Sequence, residues 1–362
     1  MTNIHESLSQ KLHPGTSVHN ALRLSIQVFE EHFIPEPDES AFHLLAYVLN
    51  LSWDTGYRQL REVSKLPLPL PSMNNPLSRL AQQSLTSEQC THYISLLKRR
   101  LQFEPLQYIV GQWDFHQLIG LKVRKPMLCP RPETEELVEL VLEEIGKLID
   151  ISDEIAEKRK IRILDVGCGT GAIGIAIAHK YPMHVQVLAL DVSPEAVELA
   201  NENAHNLLSG CLRDRDAVGK LYQAILCSAR DFTNTGNATY EMNFDIVVSN
   251  PPYIPTKDMQ DLTTDVVGFE SHHALCGGDD GLDIIRDIIN RLPEWLSSPS
   301  RSNPIREQHR CCWMEVDDSH PAVLAQMFAP GSEEATTCGV EYCNDCKDIY
   351  GRDRFVKLKC IK

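Results

Sequence analysis

From Val18 the apolar residues Leu22, Ile26, Phe29 and Phe33 recur at spacings of three and four, which predicts a helix with one buried face. A second helix is predicted after Ser40, with Leu44, Leu45 and Val48 turned inward. A third starts at Thr86, where Gln89 completes a capping box and Lys98, Arg99 and Arg100 meet the negative end of the helix dipole. Residues 1–103 therefore read as a small helical domain, interrupted by a surface loop carrying Pro67, Pro69, Pro71 and Pro76. The pattern then changes. Two short β-prone pieces, 107–110 and 121–123, flank a turn-like stretch from Gly111 to Gly120 and predict a hairpin linker over 104–130. Thr134 precedes Leu137, Leu140, Val141 and Ile145, a helix that leads into a second domain over 131–362, and 150–160 reads as a charged loop.

From Ile161 strand and helix patterns alternate: 161–165, 172–179, 185–191, then a helix capped by Ser193 with Pro194 in its first turn. Such alternation predicts an α/β fold, a mostly parallel sheet with helices on both faces. Further strands are expected at 224–227, 244–249, 312–316 and 354–357, and the polar stretch 208–239 reads in part as an exposed insertion.

Composition narrows the function classes. A chain of 362 residues, 43% hydrophobic, is long enough for one large domain and a smaller one. Its formal charge of -15 argues against a surface that collects phosphates without sequence preference. No apolar run approaches the roughly 20 residues needed to cross a bilayer, so no membrane partner is expected. Twelve cysteines without a secretory-type N-terminus point to a reducing compartment. The opening segment has Lys11 and Arg23 against Glu6, with Ser7, Ser9 and Ser17 between them, a weak version of an organelle transit peptide.

The first chemical signal is Asp165-Val166-Gly167-Cys168-Gly169-Thr170-Gly171, which ends a strand and opens a helix. Glycines there let the backbone turn sharply and let a ligand approach without a Cβ in the way. The same shape serves several nucleotide cofactors. Asp191 ends the next strand, where a carboxylate can accept from both ribose hydroxyls, and it would repel a 2′-phosphate. Asp231-Phe232 follows the third strand and suits either an adenine wall or a core aromatic beside a capping acid.

The second signal is Asn250-Pro251-Pro252-Tyr253, placed after an apolar strand and hence at the same sheet edge as the glycine loop. The proline pair stiffens the backbone and removes two donors, leaving the Asn250 side-chain oxygen and the Pro251 carbonyl as acceptors for the hydrogens of an NH₂ group. An amide nitrogen is a poor nucleophile, so alignment and fixed dipoles must lower the barrier, with Tyr253 stacked on the flat acceptor.

With these motifs the chain resembles the glutamine methyltransferases that modify peptide-chain release factors, the HemK or PrmC type. Gln107-Tyr108-Ile109 with Gly111, the run from Pro130 to Glu135, Phe269-Glu270, Ala274-Leu275, Gly277-Gly278, Asp280-Gly281-Leu282 and Asp348 with Tyr350 to Phe355 also fit. The resemblance implies a class I methyltransferase fold with a seven-stranded sheet and a helical N-terminal domain that helps recognise the release factor. It implies contacts to S-adenosylmethionine from Gly167, Cys168, Gly169, Thr170, Gly171, Asp191, Phe232 and Asn250. Asn250, Pro251, Pro252 and Tyr253 would bind the glutamine of a Gly-Gly-Gln motif, with Asn250, Pro251 and Tyr253 as the catalytic set and no metal. A monomer acting on a class I release factor, with no direct nucleic acid substrate, is expected. Irregular insertions and the serine-containing N-terminus incline the reading to the mitochondrial branch, the cytoplasm being the other choice.

Two other classes use the same motifs: a methyltransferase for the exocyclic amine of adenine, disfavoured by the charge of -15, and a non-catalytic cofactor-binding scaffold. Cys338, Cys343 and Cys346 lack a second C-x₂-C and are set aside as a zinc site. His272-His273 read as a solvent-facing pair or a proton acceptor, and Arg131 and Glu133 as an entrance or an ion pair locking the linker.

Overall fold

The computed structural model describes residues 8, 10–67, 70, 72, 75–154, 159–212, 217–233, 242–296 and 307–361. The chain forms two compact units, one of residues 1–112 with 263–269, the other of 113–262 with 270–362.

The described helices of the first unit include α1 Val18–Glu31, α2 Pro37–Val48, α3 Trp53–Ser64, α4 Pro76–Gln82, α5 Ser87–Arg100 and α6 Leu106–Val110. The apolar stripe of α1 is buried through Val18, Ala21, Leu22, Val28 and Phe29. The α2 helix begins three residues before the expected Ser40, because Pro37 in its first turn has the φ a helix needs and no N–H to leave unsatisfied. The capping box of α5 forms as the sequence indicates, Thr86 and Gln89 each satisfying the other's backbone N–H. Of the proline loop, Pro69 and Pro71 lie outside the described residues, as do Glu6, Ser7 and Ser9 near the N-terminus.

The 107–110 segment corrects the expected hairpin. It is helical, and the strands are β1 Gln112–Phe115 and β2 Leu118–Lys122. Arg99 explains the difference: its guanidinium donates to the carbonyls of Tyr108 and Ile109 at 3.1 Å, filling acceptors that a helix end leaves open. Gly111, at φ 79, then closes the turn in the left-handed conformation.

In the second unit α7 Pro132–Glu154 precedes β3 Ile161–Val166, α8 Ala172–Lys180, β4 Val185–Asp191, α9 Pro194–Leu208, β5 Tyr222–Leu226, β6 Ile246–Ser249, α10 Asp283–Trp295, β7 Cys311–Glu315, α11 His320–Met327, α12 Glu333–Cys338, β8 Val340–Lys347 and β9 Asp353–Cys360. The α7 helix runs through 150–154 of the expected charged loop, of which 155–158 lie outside the described residues. Part of the expected insertion, 213–216 and 234–239, also lies outside them. The seven-stranded sheet has the order β5-β4-β3-β6-β7-β9-β8. Strands β5 to β7 are mutually parallel, and β9 inserts antiparallel between β7 and β8. One core layer packs α7, α8 and α9 on one face of this sheet, and a second packs α10 and α11 on the other.

Candidate active site

The sheet register decides which residues meet. Val166 of β3 pairs with Ser249 of β6, so Gly167 and Asn250 leave the same edge side by side. A Cβ on Gly167 would lie 4.0 Å from the Asn250 carbonyl oxygen. Gly167, Gly169 and Gly171 all have positive φ, at 75°, 53° and 82°, a loop that only glycine forms without strain. The loop is pinned from β4: Gly167 and Cys168 donate to the Leu190 carbonyl at 2.8 and 3.0 Å, and Gly169 donates to Asp191 Oδ2 at 2.8 Å.

Asp191 also accepts the Ser193 N–H on Oδ1 at 2.9 Å, so each carboxylate oxygen keeps one lone pair for a diol. Burial pushes its carboxyl above the ordinary range, and the backbone N–H groups oppose the shift. Cys168 and Thr170 are buried and shape the loop through their backbones, the Thr170 carbonyl receiving Asn203 Nδ2 at 2.9 Å. Burial pushes the Cys168 thiol well up, which leaves it protonated and unreactive. An open glycine turn beside a carboxylate with spare acceptor capacity fits the nucleoside part of S-adenosylmethionine.

Opposite the loop, five side chains form one network. Thr134 Oγ1 donates to Glu315 Oε2 at 2.7 Å, and Asn250 Nδ2 donates to the same oxygen at 3.0 Å and to Thr134 Oγ1 at 3.1 Å. The Nδ2 end of the Asn250 amide is thereby held against Thr134 and Glu315, and its Oδ1 is left as the acceptor. On the other carboxylate oxygen, Glu315 Oε1 accepts from the Tyr253 hydroxyl at 3.1 Å and from Arg354 Nη2 at 3.2 Å. Arg354 also donates to the Tyr253 hydroxyl and places its guanidinium carbon 4.8 Å from the centre of that ring. Burial raises the Glu315 carboxyl, opposed by the Thr134 hydrogen bond and the Arg354 charge. Burial, and secondarily the charge of Glu315, raises the Tyr253 phenol, so it stays a donor.

Sequence reasoning placed Asn250, Pro251, Pro252 and Tyr253 beside the glycine loop but passed over Glu315. Its signal was an acid closing an apolar strand, the position that Asp191 also holds.

Phe232 differs from the cofactor contact expected for it. Its side chain has no exposed surface, and its ring packs 6.3 Å from Phe244 and 6.2 Å from Trp295, whose indole N–H donates to the Phe232 carbonyl at 2.9 Å. The core burial outweighs the adenine wall, because no face of the ring is left to stack. Arg131 and Glu133 do not pair with each other. Arg131 Nη2 lies 2.8 and 2.9 Å from the two oxygens of buried Glu270, and Glu133 pairs with Arg352 at 3.2 Å. His272 and His273 stand exposed on the turn His272–Leu275.

Comparison with known proteins gives two matching family profiles, the methyltransferase small domain over residues 151–278 and the PrmC N-terminal domain over 77–111. A human protein named MTRF1L release factor glutamine methyltransferase is 32% identical over 332 residues, covering 92% of this chain and 84% of that protein. Release factor glutamine methyltransferases of Streptococcus pneumoniae and Lactococcus lactis are 35% and 30% identical, covering 76% and 84% of this chain and 82% and 92% of theirs.

Proposed function

Because the chain belongs to the release factor glutamine methyltransferase family, we propose that Asn250, Pro251, Pro252 and Tyr253 hold the glutamine of a Gly-Gly-Gln motif in a class I release factor for methylation of its N5 nitrogen. The observation that carries this reading is the committed Asn250 amide. With its Nδ2 held by Glu315 and Thr134, Oδ1 is oriented before an acceptor arrives, and the Pro251 carbonyl would supply a second acceptor.

S-adenosylmethionine supplies an electrophilic methyl group on a sulfonium. Gly167, Cys168, Gly169, Thr170 and Gly171 would hold it through their backbones and Asp191 through its spare lone pairs. Asn250 Oδ1 and the Pro251 carbonyl draw the two N–H hydrogens and so present the nitrogen lone pair. Tyr253 covers the flat amide and limits water. Glu315 holds these groups and takes no proton: Thr134, Asn250, Tyr253 and Arg354 already fill the roughly four lone-pair positions of a carboxylate. The methylated nitrogen therefore sheds its proton to solvent.

Residues 1–103 serve in this reading to recognise the release factor, and the enzyme acts as a monomer in mitochondria, which a fluorescent fusion would test by co-localisation. The decisive experiment incubates the protein with isotopically labelled S-adenosylmethionine and a release factor, followed by mass spectrometry of the Gly-Gly-Gln peptide. One added methyl on the glutamine supports the reading. Label found in adenine of nucleic acid instead overturns it.

A further inference from the structure

The backbone after Tyr253 is stitched into the loop that precedes α10. Ile254 N–H donates to the Leu275 carbonyl at 3.0 Å, Gly277 N–H to the Ile254 carbonyl at 2.9 Å, and Thr256 N–H to the Gly278 carbonyl at 2.8 Å. Two glycines of this loop touch the acceptor motif so closely that no side chain would fit. A Cβ on Gly277 would lie 2.7 Å from the Pro252 carbonyl oxygen, and one on Gly281 would lie 2.3 Å from the Tyr253 carbonyl oxygen. The same Cβ would lie 2.8 and 2.9 Å from ring atoms of His320, so the imidazole and the Tyr253 carbonyl close on one side of Gly281.

His320 is 3% exposed at the start of α11, and its Nε2 lies 2.9 Å from the Asp280 carbonyl. A carbonyl only accepts, so Nε2 carries the proton. The main chain that carries the ring is held in turn by its own loop, where Asp317 accepts the His320 and Ser319 backbone N–H groups, each at 3.0 Å. The residues between Glu315 and His320 therefore grip one motif twice: Glu315 takes the Asn250 side chain, and His320 backs the loop that sets the Pro252 and Tyr253 main chain.

We infer that His320 is a positioning residue for methyl transfer, acting through the Asp280-Gly281 backbone to fix the Pro252–Tyr253 carbonyls. It rests on the glutamine methyltransferase reading for its kinetic consequence. His320 touches neither the glycine cradle nor Asp191, so cofactor affinity and acceptor alignment separate.

The test compares His320→Ala and His320→Gln with the wild-type protein. In His320→Ala, kcat for the release factor falls about tenfold, the scale of a small misplacement of reacting groups, while the Kd for S-adenosylmethionine changes less than twofold. His320→Gln returns most of the loss, because its carboxamide keeps an N–H donor near the Asp280 carbonyl. Equal kcat in His320→Ala and wild type overturns the inference, and so does a Gln variant as slow as the Ala variant. Amide hydrogen exchange reads the same brace without an acceptor: Ile254, Thr256 and Gly277 exchange faster in His320→Ala, while Gly169 does not. Unchanged exchange at those three amides also overturns it. Wild-type protein that methylates no glutamine would remove the functional reading, while the exchange result would still decide the brace.

Discussion

Asn250 Nδ2 lies 3.0 Å from Glu315 Oε2, and this contact fixes which end of the amide faces outward. An isolated asparagine could flip by half a turn and offer donors to an incoming NH₂ group. Here the flip would set Oδ1 against a carboxylate and the Thr134 hydroxyl, two oxygens in place of two hydrogen bonds.

Substitution of either partner tests that relationship. Asn250→Ala is expected to lower kcat by about 10² to 10³, as loss of a preorganised dipole does, with the fold intact by circular dichroism. Glu315→Gln is nearly isosteric but turns an NH₂ group toward donors on one side, so kcat is expected to fall by about tenfold or more. Wild-type rates in Glu315→Gln would show that the amide needs no such anchor.

Tyr253 separates its ring from its hydroxyl. Its hydroxyl is spent on Glu315 and Arg354, so the proposed cover over the acceptor falls to the ring. Tyr253→Phe should cost about 1.5–3 kcal/mol of folding stability, read from the urea midpoint, with a moderate rise in KM. Tyr253→Ala should lose kcat/KM much further. Identical kinetics in the two variants would assign the ring no part.

Phe232 gives a prediction of the opposite kind. Because it is fully buried against Phe244 and Trp295, Phe232→Ala should destabilise the fold by about 3–5 kcal/mol. The milder Phe232→Leu should bind S-adenosylmethionine with unchanged affinity by calorimetry. A large loss of affinity in Phe232→Leu would restore the adenine contact that burial argues against.

Asp165 should make stability depend on pH. Its carboxyl, near the end of β3 with no exposed surface, is raised from 3.8 to about 7, first by burial and then by the charge of Asp191, with the Gly174 N–H opposing. Cys168 and Tyr222 also face this cluster, both held protonated by burial. Below pH 3.8 the folded and unfolded chains both keep the Asp165 proton; between there and about 7 only the folded chain keeps it. Folding then takes up a proton, so this contribution is complete at low pH and is lost as pH rises toward about 7. Asp165→Asn keeps an acceptor for Gly174 and cannot ionise. The difference in urea midpoint, wild type minus variant, should therefore decline over that window and then level. A flat difference would place the titration elsewhere.

Much of the sheet and its two motifs was legible in the sequence because β3, β4 and β6 are apolar runs closed by glycine, acid or proline, and such punctuation is local. Segment 107–110 was misread because four residues, three of them apolar, are too few to show a period, and the donor that holds them helical, Arg99, comes from the previous helix. The α10 helix escaped because Pro293 sits in its last turn and reads as a breaker, although its buried Ile285, Ile288, Ile289 and Leu292 are spaced for a helix. Glu315 was invisible as a site residue for a different reason. Its four donors come from α7, from the two sides of the proline pair and from β9, and no local window contains them.

The insertion of β9 between β7 and β8 has a consequence for how the enzyme is made. Glu315 leaves the ribosome well ahead of Arg354, so a nascent chain carries the acid without its cation and with one edge of β7 still open. Folding of the catalytic unit is therefore gated at its final strand, and a chain stalled before Asp353 would expose both an unpaired strand and an uncompensated charge to the quality-control machinery.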